Sequence, residues 1–253
     1  MEERNLKVMM AYRGTAYHGF QIQNNALTVQ EVVERCVGKV LNETVSIHGC
    51  SRTDTGVHAR QFCFSVRTNS WITTLGFVRG VNGELPKDIS ILSCEDADPD
   101  FHARFSCKGK EYLYLLHTSE SKDPFTTDLA FHYRRPFHPE IVREAAQHFV
   151  GTHDFRAFCT NCAENNNTIR TIHSFDVEID GDKVKILVKG DGFLYNMVRI
   201  MVGTLLDVDE GRIPAERLDA ILAAGDRQRA GRTALPHGLY LNRVFYDEAL
   251  LHS

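Results

Sequence analysis

The chain has 253 residues, of which 43% are hydrophobic and 25% are charged, so it can bury a substantial core and has the composition of an ordinary globular protein. Its net charge of -4 weighs against a protein that binds nucleic acid over its whole surface, although a basic cleft on an acidic body is compatible with that total. The N-terminal segment MEERNLKVMMAYRG begins with acids and has a charged Lys7 inside its apolar run. We therefore expect no signal peptide, no membrane span and a cytoplasmic location.

The first half of the chain predicts strands and helices that follow one another closely. Residues 6–12 form a short apolar run typical of a buried strand. Thr28 and Glu31 form a capping-box pattern, and hydrophobic residues at helical spacing follow them, which predicts a helix. The segment TVSIHG and the alternating residues 62, 64 and 66 predict two strands that flank a polar loop, GCSRTDTGVHAR, at residues 49–60. A short helix over 73–81, a turn at NGELPKD, a strand at ISILSC and a strand at KEYLYLLH, buried on both faces, follow.

The second half repeats these ingredients. Pro139 introduces a helix, and the segments 168–180 and 183–189 predict two strands joined at an Asp-Gly turn. An apolar helix runs through Met197 and Leu205. Strand, glycine-and-aromatic loop and helix occur in both halves, as MMAYRGTAYHGF and as LVKGDGFLYN. This echo favours two related α+β units whose sheets could join.

The cysteines predict no disulfide framework. There are seven, an odd number, and most lie in apolar patterns, as Cys63 does, so we expect reduced thiols in a reducing compartment. Cys159 and Cys162 have the spacing of metal ligands, with His153 and His173 nearby as possible partners. One CxxC pair without a second is a weak zinc signal, and we predict no metal site.

The polar loop contains Asp54 among turn-forming residues and cations, and three explanations can account for an aspartate at this position. One explanation is structural: Asp54 bonds nearby backbone amides in a turn, and Gly56 supplies a positive φ. A second is an aspartic protease, since Asp-Thr-Gly is the catalytic triplet of that class. That chemistry needs two carboxylates that share a proton, yet the chain has no second triplet, and Arg52 favours an ionised Asp54.

A third explanation is a lone carboxylate that acts as nucleophile or base. In an extended segment residues i and i+2 face the same side, so Arg52 and Asp54 would project together. Arg52 favours the carboxylate form and can contact a phosphate or stack on a base. Such a pair suits attack on a sugar anomeric carbon. From the residues alone, we expect an enzyme with one catalytic aspartate that acts on a nucleoside-like substrate.

The loop also resembles a known motif. GCSRTDTGVHA is similar to the R-T-D-x-G-V-H-A motif of the tRNA pseudouridine synthases of the TruA type. Other blocks resemble that family in the same order, from about residue 6 to about residue 247: AYRGTAYHGFQIQ, VNGELPKDISI, DFHARFSCKGKEYLY, HDFRAFC with TIRTI, GFLYNMVRIMVGTL and DRQRAGRTALPHGLYL. Two departures concern the loop: Arg60-Gln61 follows GVHA directly, which adds a cation, and Ser51 stands where many members have glycine.

The resemblance implies isomerisation of uridine to pseudouridine without cofactor or metal, in the anticodon stem-loop of tRNA at positions 38, 39 or 40. It makes Asp54 the catalytic nucleophile or base and Tyr112 the residue that packs on the target base. Arg52 would fill the place of the flipped nucleotide, and Arg199 would pair with the carboxylate. Without the resemblance, Tyr112 would be a core residue with a bonded hydroxyl.

The resemblance also implies a homodimer. By position we expect RNA-phosphate contacts from Arg60, Arg104, Lys108 and Lys110, and we assign structural hydrogen bonds to two histidines, His58 and His102. The alternative function is a non-catalytic RNA-binding module on the same fold.

We therefore predict an α+β protein of two related α/β units, RRM-like or ferredoxin-like. Their mostly antiparallel sheets would join around a central basic active-site cleft. The predicted units are residues 1–104, with the catalytic loop, and residues 105–253, and together they would form one pseudosymmetric catalytic domain.

Overall fold

The computed structural model describes residues 3–162 and 167–251, with the backbone alone at Leu250. The strands are β1 (Arg4–Tyr12), β2 (His48–Gly49), β3 (His58–Thr68), β4 (Ile89–Ala97), β5 (Gly109–His117), β6 (Phe131–His132), β7 (Gly151–Asp154), β8 (Ile169–Asp180), β9 (Lys183–Gly190) and β10 (Leu239–Phe245). The helices are α1 (Val29–Leu41), α2 (Thr74–Glu84), α3 (Pro139–Gln147), α4 (Met197–Asp209), α5 (Leu218–Ala224) and α6 (Glu248–Leu251).

The chain divides into two compact units. The first contains the residues up to Lys108 together with Tyr240–Asp247, and the second contains Gly109–Leu239 together with the residues from Glu248 onward. The predicted bounds, 1–104 and 105–253, differ from this division mainly in the placement of Tyr240–Asp247. The combination of helices with a mostly antiparallel sheet confirms the predicted class in its general form. The RRM-like description of the units stays a prediction.

The first unit is built on β3. Strand β1 pairs antiparallel with both β3 and β4, β2 pairs antiparallel with β3, and β10 runs parallel to β3 with Tyr240 opposite His58. Thr28 caps α1 as predicted, because its hydroxyl accepts a hydrogen bond from the Glu31 amide at 3.4 Å. The core contains large side chains that are almost fully buried, including Leu6, Met10, Phe62, Phe64 and Phe77.

The second unit is an antiparallel run in the order β5, β9, β8 and β7, with β6 parallel to β5. Helix α3 packs on β8 and on α4. Helix α4 is buried on nearly all sides, since every residue except Arg199 is buried. Strand β5 is also buried on both faces, as predicted. Gly181 takes φ +57° in the turn between β8 and β9, again as predicted.

Some predicted elements have other bounds. The strand predicted at TVSIHG is only His48–Gly49, because side chains of α1 take the backbone groups of Ile47: the Ile47 amide donates to Glu34 Oε1 at 2.9 Å, and Gln30 Nε2 donates to the Ile47 carbonyl at 3.3 Å. Helix α2 continues through Glu84 into the segment predicted as a turn. There the Asn82 side chain bonds the backbone of Ile91 at 2.7 and 2.9 Å.

The expectation of reduced thiols is wrong for one pair. Cys159 and Cys162 form a disulfide, since the tight turn at Asn161, with φ +56°, brings their Cα atoms to 5.7 Å. The other five cysteines are thiols that form no disulfide. In the described part of the chain, no group of three or more His, Cys, Asp or Glu side chains is arranged to share a metal ion. None of the helices within residues 3–162 and 167–251 has both the length and the apolar character needed to cross a bilayer.

Candidate active site

The loop before β3 contains the predicted turn. The Val57 amide donates to the Asp54 carbonyl at 3.1 Å, and Gly56 has φ +78°. The local geometry therefore confirms a turn with glycine at the position of positive φ. The carbonyl of Asp54 closes this turn.

The side chains before the turn alternate as expected for an extended segment. Arg52 is exposed, Thr53 is buried and Asp54 is half-buried. The Thr53 hydroxyl lies 2.8 Å from the hydroxyl of Tyr12, which is also buried. Because Thr53 points into the core, its two neighbours point away from it. Arg52 makes no ion pair within the described residues, so its guanidinium is available to a ligand.

A second loop, between β1 and α1, packs on the first. The Gly56 amide donates to the Tyr17 carbonyl at 3.3 Å, and the Phe20 amide donates to the Thr53 carbonyl at 3.2 Å. Gly19 lies between them with φ +83°, and a Cβ atom there would overlap the Thr53 carbonyl oxygen. Main-chain hydrogen bonds at Thr53 and at Gly56, on either side of Asp54, thus hold the backbone that carries this aspartate.

His58 and His102 make structural hydrogen bonds, as predicted. Nδ1 of His58 accepts from the Gly14 amide at 3.0 Å, and Nδ1 of His102 accepts from the Arg104 amide at 3.1 Å. Each imidazole therefore serves as an acceptor for the main chain. The His58 ring also packs on Tyr240, with 4.6 Å between the ring centroids.

Arg60 lies over an aromatic ring. Its Cζ atom is 5.2 Å from the centroid of the Tyr240 ring. Burial raises the pKa of Tyr240 to about 12, and the nearby cations Arg60 and Arg13 oppose this rise. The phenol therefore stays neutral at physiological pH, and the exposed Arg60 has a rigid aromatic support.

Tyr112 lies near the beginning of β5 in the second unit. Its side chain is 6% exposed, and its ring meets Phe193 edge-on, with 5.0 Å between centroids and an interplanar angle of 81°. The tyrosine ring is therefore packed nearly perpendicular to a second aromatic ring.

Arg199 lies in the first turn of α4, where two acceptors fix its guanidinium. Its Nε donates to the Ala234 carbonyl at 2.8 Å, and its NH1 donates to Asn196 Oδ1 at 2.9 Å. Asn196 has φ +61°, and its Nδ2 donates to the Thr160 hydroxyl at 3.1 Å. The sequence prediction missed Asn196, Thr160 and Ala234. The position of Asn196 directly before α4 was the one sequence signal that could have indicated these hydrogen bonds to Arg199 and Thr160.

The candidate phosphate ligands differ in exposure. Arg104 and Lys108 are exposed, whereas Lys110 is half-buried on β5 opposite Gly190. The Arg104 Cζ atom lies 5.7 Å from the centroid of the Phe105 ring. The Lys108 amide donates to the Phe245 carbonyl at 2.7 Å, which fixes its backbone and leaves the ammonium group exposed.

A family model described as tRNA pseudouridine synthase matches residues 8–106 and 145–247. The chain belongs to the tRNA pseudouridine synthase family. Two curated relatives agree with this assignment. The chain is 41% identical to tRNA pseudouridine synthase A 2 of Clostridium perfringens and 43% identical to tRNA pseudouridine synthase A of Acetivibrio thermocellus, in both cases over 96% of this chain and 100% of the relative. The predicted family is thereby confirmed, and so is the prediction that the chain is an enzyme of this class.

Solved structures are more distant from this pseudouridine synthase. A Cbf5-Nop10-Gar1 complex contains a chain that is 13% identical, with a TM-score of 0.39, and the match covers 94% of this chain and 48% of that chain. The H/ACA RNP bound to a substrate RNA containing 2'-deoxyuridine is similar at 15% identity and a TM-score of 0.39, over 93% of this chain and 47% of that chain.

Proposed function

We propose that this pseudouridine synthase isomerises uridine in the anticodon stem-loop of tRNA, at positions 38, 39 or 40, with Asp54 as the catalytic nucleophile or base. The observation that carries the proposal is the way Asp54 is presented. Asp54 is half-buried and lies in a turn, next to the buried Thr53. The loop between β1 and α1 is hydrogen-bonded to the backbone on either side of Asp54. A carboxylate on a backbone that is fixed in this way is suited to act at a sugar carbon.

The reaction balances without any added reagent. The bond between N1 and C1′ of the uridine breaks, the uracil turns, and a bond forms between C5 and C1′. N1 gains a proton, and C5 loses one. Asp54 either adds to C1′ or removes a ribose proton, and both routes require its carboxylate form. We propose, from the family resemblance, that the enzyme uses no cofactor and no metal.

Three further residues are assigned to the target nucleotide. Tyr112 packs on the base, because a base that leaves its stack needs an aromatic surface. Arg52 occupies the gap left in the RNA, for which its exposed guanidinium is suited. Arg199 orients the Asp54 carboxylate, for which its fixed guanidinium is suited. This assignment requires that the two units, RRM-like or ferredoxin-like with mostly antiparallel sheets, join around one basic cleft, and that is part of the proposal.

The remaining assignments concern the rest of the tRNA. Arg60, Arg104, Lys108 and Lys110 contact phosphates, which position the RNA without reading its sequence. By the same resemblance the enzyme is a homodimer, and we propose that it acts in the cytoplasm. Light scattering of the purified protein tests the dimer directly, and a mass of one chain at working concentration would contradict it.

The deciding experiment maps pseudouridine in an unmodified tRNA transcript after incubation with enzyme. Carbodiimide adducts, detected as reverse-transcription stops, are expected in the anticodon arm with wild type and absent with Asp54→Asn. The tRNA affinity of Asp54→Asn should change less than about tenfold, because the variant loses chemistry and not folding. Asp100→Asn, a change at an exposed aspartate, is the matched control and should modify tRNA normally. If wild type bound tRNA without producing stops, a non-catalytic RNA-binding module would replace the proposal.

A further inference from the structure

An exposed aromatic ring in the first unit has an unusual set of neighbours. Phe105 lies in the connection between β4 and β5 and is 76% exposed. Its ring is 4.4 Å from that of His102 between centroids, and His102 in turn stacks on His48 at 4.9 Å with an interplanar angle of 26°. Arg104 lies beside the same phenylalanine. We call His48, His102 and Phe105 the aromatic cluster.

The backbone under the cluster is held in place by the sheet. The Ala103 amide donates to the Ser65 hydroxyl at 3.2 Å, and the Tyr246 hydroxyl donates to the Ala103 carbonyl at 2.7 Å. Nδ1 of His102 also accepts from the Phe105 amide at 3.4 Å. A ring on such a support loses little conformational freedom when a ligand covers it, and this lowers the cost of binding.

The aromatic cluster favours a ligand with an aromatic face, and the neighbouring Arg104 favours one that is also anionic. Burial, together with the neighbouring His48 and Arg104, lowers the pKa of His102, so the middle ring is neutral at physiological pH. Arg104 is exposed and has no ion pair within the described residues. Its guanidinium can therefore reach a phosphate beside a base that covers Phe105.

We propose that the aromatic cluster is a stacking platform for an unpaired base of the tRNA, with Arg104 on an adjoining phosphate. The proposal rests on the proposed function only in taking tRNA as the ligand. Ser65, which supports the platform, is seven residues along β3 from His58, or about 23 Å at strand spacing. The platform therefore contacts RNA away from the nucleotide that reacts at Asp54, and it contributes to binding and not to chemistry.

Substitution of Phe105 tests the platform. Phe105→Ala should raise both KM and Kd for a tRNA transcript at least about fivefold, as expected for loss of one base stack, and should leave kcat at saturating tRNA unchanged. Phe105→Tyr and Phe105→Trp should bind as wild type does, because they keep a flat ring. Phe105→Leu keeps apolar area and loses the ring, so it should bind as weakly as the alanine variant.

Two controls make the test specific. Phe125 is 89% exposed, and no ring or cation packs on it within the described residues, so Phe125→Ala should leave KM unchanged. Arg104→Ala should reduce the slope of log affinity against log salt by about one, whereas Phe105→Ala should leave the slope as it is, because it removes no charge. Wild-type affinity in Phe105→Ala would overturn the platform. Wild-type affinity in Phe105→Leu would also overturn it, even if Phe105→Ala bound weakly, because apolar area and not a flat ring would then be what matters. The Kd and the salt slope are measured on bound tRNA, so these two readouts are independent of whether the enzyme modifies the anticodon arm.

Discussion

Gly19 is a residue whose missing side chain matters to the site. It combines φ +83° with close contact to the Thr53 carbonyl, one residue before Asp54. Gly181 also has a positive φ, +57°, yet a Cβ atom there would meet no other atom within 4 Å. Substitution of each glycine therefore separates the effect of backbone strain, present at both, from that of steric overlap with the loop that carries Asp54, present only at Gly19.

We expect Gly19→Ala to lower kcat more than tenfold and to destabilise the protein by about 1–3 kcal/mol, because the overlap moves the segment that carries Asp54. Gly181→Ala should cost about 1 kcal/mol from its φ alone and leave kcat unchanged. Thermal unfolding and steady-state kinetics measure both effects. Equal kinetics for the two variants would contradict the role assigned to the close packing at Gly19.

Asn196 combines two roles at one position: a left-handed backbone conformation and a side chain that bonds both Arg199 and Thr160. Asn196→Gly keeps the conformation and removes the side chain, whereas Asn196→Ala loses both. We expect both variants to lower kcat about tenfold while KM for tRNA changes less than threefold, because the Arg199 guanidinium loses an acceptor. The alanine variant should lose more stability than the glycine variant, because it is also strained in the left-handed conformation. Wild-type kcat in Asn196→Gly would show that Arg199 needs no such support.

The candidate residues differ in how far the sequence predicts them. Asp54, Arg52, Tyr112 and Arg199 lie in contiguous motifs that resemble the family's blocks, so their positions could be assigned before the structure. The hydrogen-bond acceptors of the Arg199 guanidinium could not be assigned from the sequence. One of them is the Ala234 carbonyl, 35 residues away, and a hydrogen bond to a distant backbone carbonyl leaves no pattern in the local sequence.

Among the elements, α4 and the segment after α5 support the site together. The Gly231 amide donates to the Thr204 hydroxyl at 2.9 Å, and the Ala234 amide donates to the Arg199 carbonyl at 2.9 Å. Glu210, at the end of α4, bonds Arg232 at 2.7 Å and lies 2.9 Å from Arg212. The Glu210 side chain is 3% exposed. This carboxylate therefore anchors the segment that supplies the acceptor for Arg199.

We expect Glu210→Gln to destabilise the protein by about 1–3 kcal/mol at pH 7, below the full cost of a broken buried pair, because its arginine partners are partly exposed. A hydrogen bond from Arg232 lowers the pKa of Glu210 below its ordinary 4.5. The stabilisation is therefore complete above pH 4.5 and disappears as pH falls through the lower folded-state pKa. Denaturant unfolding of both proteins from pH 3 to pH 8 measures the difference.

The matched control for Glu210→Gln is Glu140→Gln. Glu140 pairs with Arg143 at 2.8 Å, but its side chain is 83% exposed. An exposed pair of this kind contributes little, so we expect a change of about 0–0.5 kcal/mol with no sharp pH dependence. A difference for Glu210→Gln that persisted unchanged to pH 3 would show that the glutamine fails for reasons other than charge.

Element prediction succeeded where the pattern is local and failed where a partner is distant. The helices at 29–41 and 197–209 follow hydrophobic periodicity, and the first has its cap in sequence. Strand β10 was not predicted, because it is defined by parallel pairing with β3, with Tyr240 opposite His58 across 182 residues of sequence. Strand β2 is shorter than predicted because α1 side chains satisfy the backbone next to it.

At the scale of the whole molecule, the net charge and the local positive charges have opposite effects on RNA binding. The total of -4 repels RNA, so binding must depend on local cations. If Arg60, Arg104, Lys108 and Lys110 each neutralise one phosphate, the slope of log affinity against log salt should be about -3 to -4. Filter binding of a tRNA transcript between 50 and 200 mM salt measures this slope, which corresponds to a loss of affinity of about 100-fold. A flat dependence would contradict a basic tRNA-binding surface.

The division of the chain into units has a consequence for its biosynthesis. The unit that carries Asp54 contains the residues up to Lys108, yet it also includes Tyr240–Asp247, which supply the strand beside β3. A ribosome that adds roughly 5–20 residues per second needs about 7–28 s to pass from Lys108 to the end of the second segment at Asp247. During that interval the edge of β3 lacks its parallel neighbour. The nascent chain therefore cannot complete the unit that carries Asp54 until Tyr240–Asp247 have been synthesised, and we expect no activity before that point.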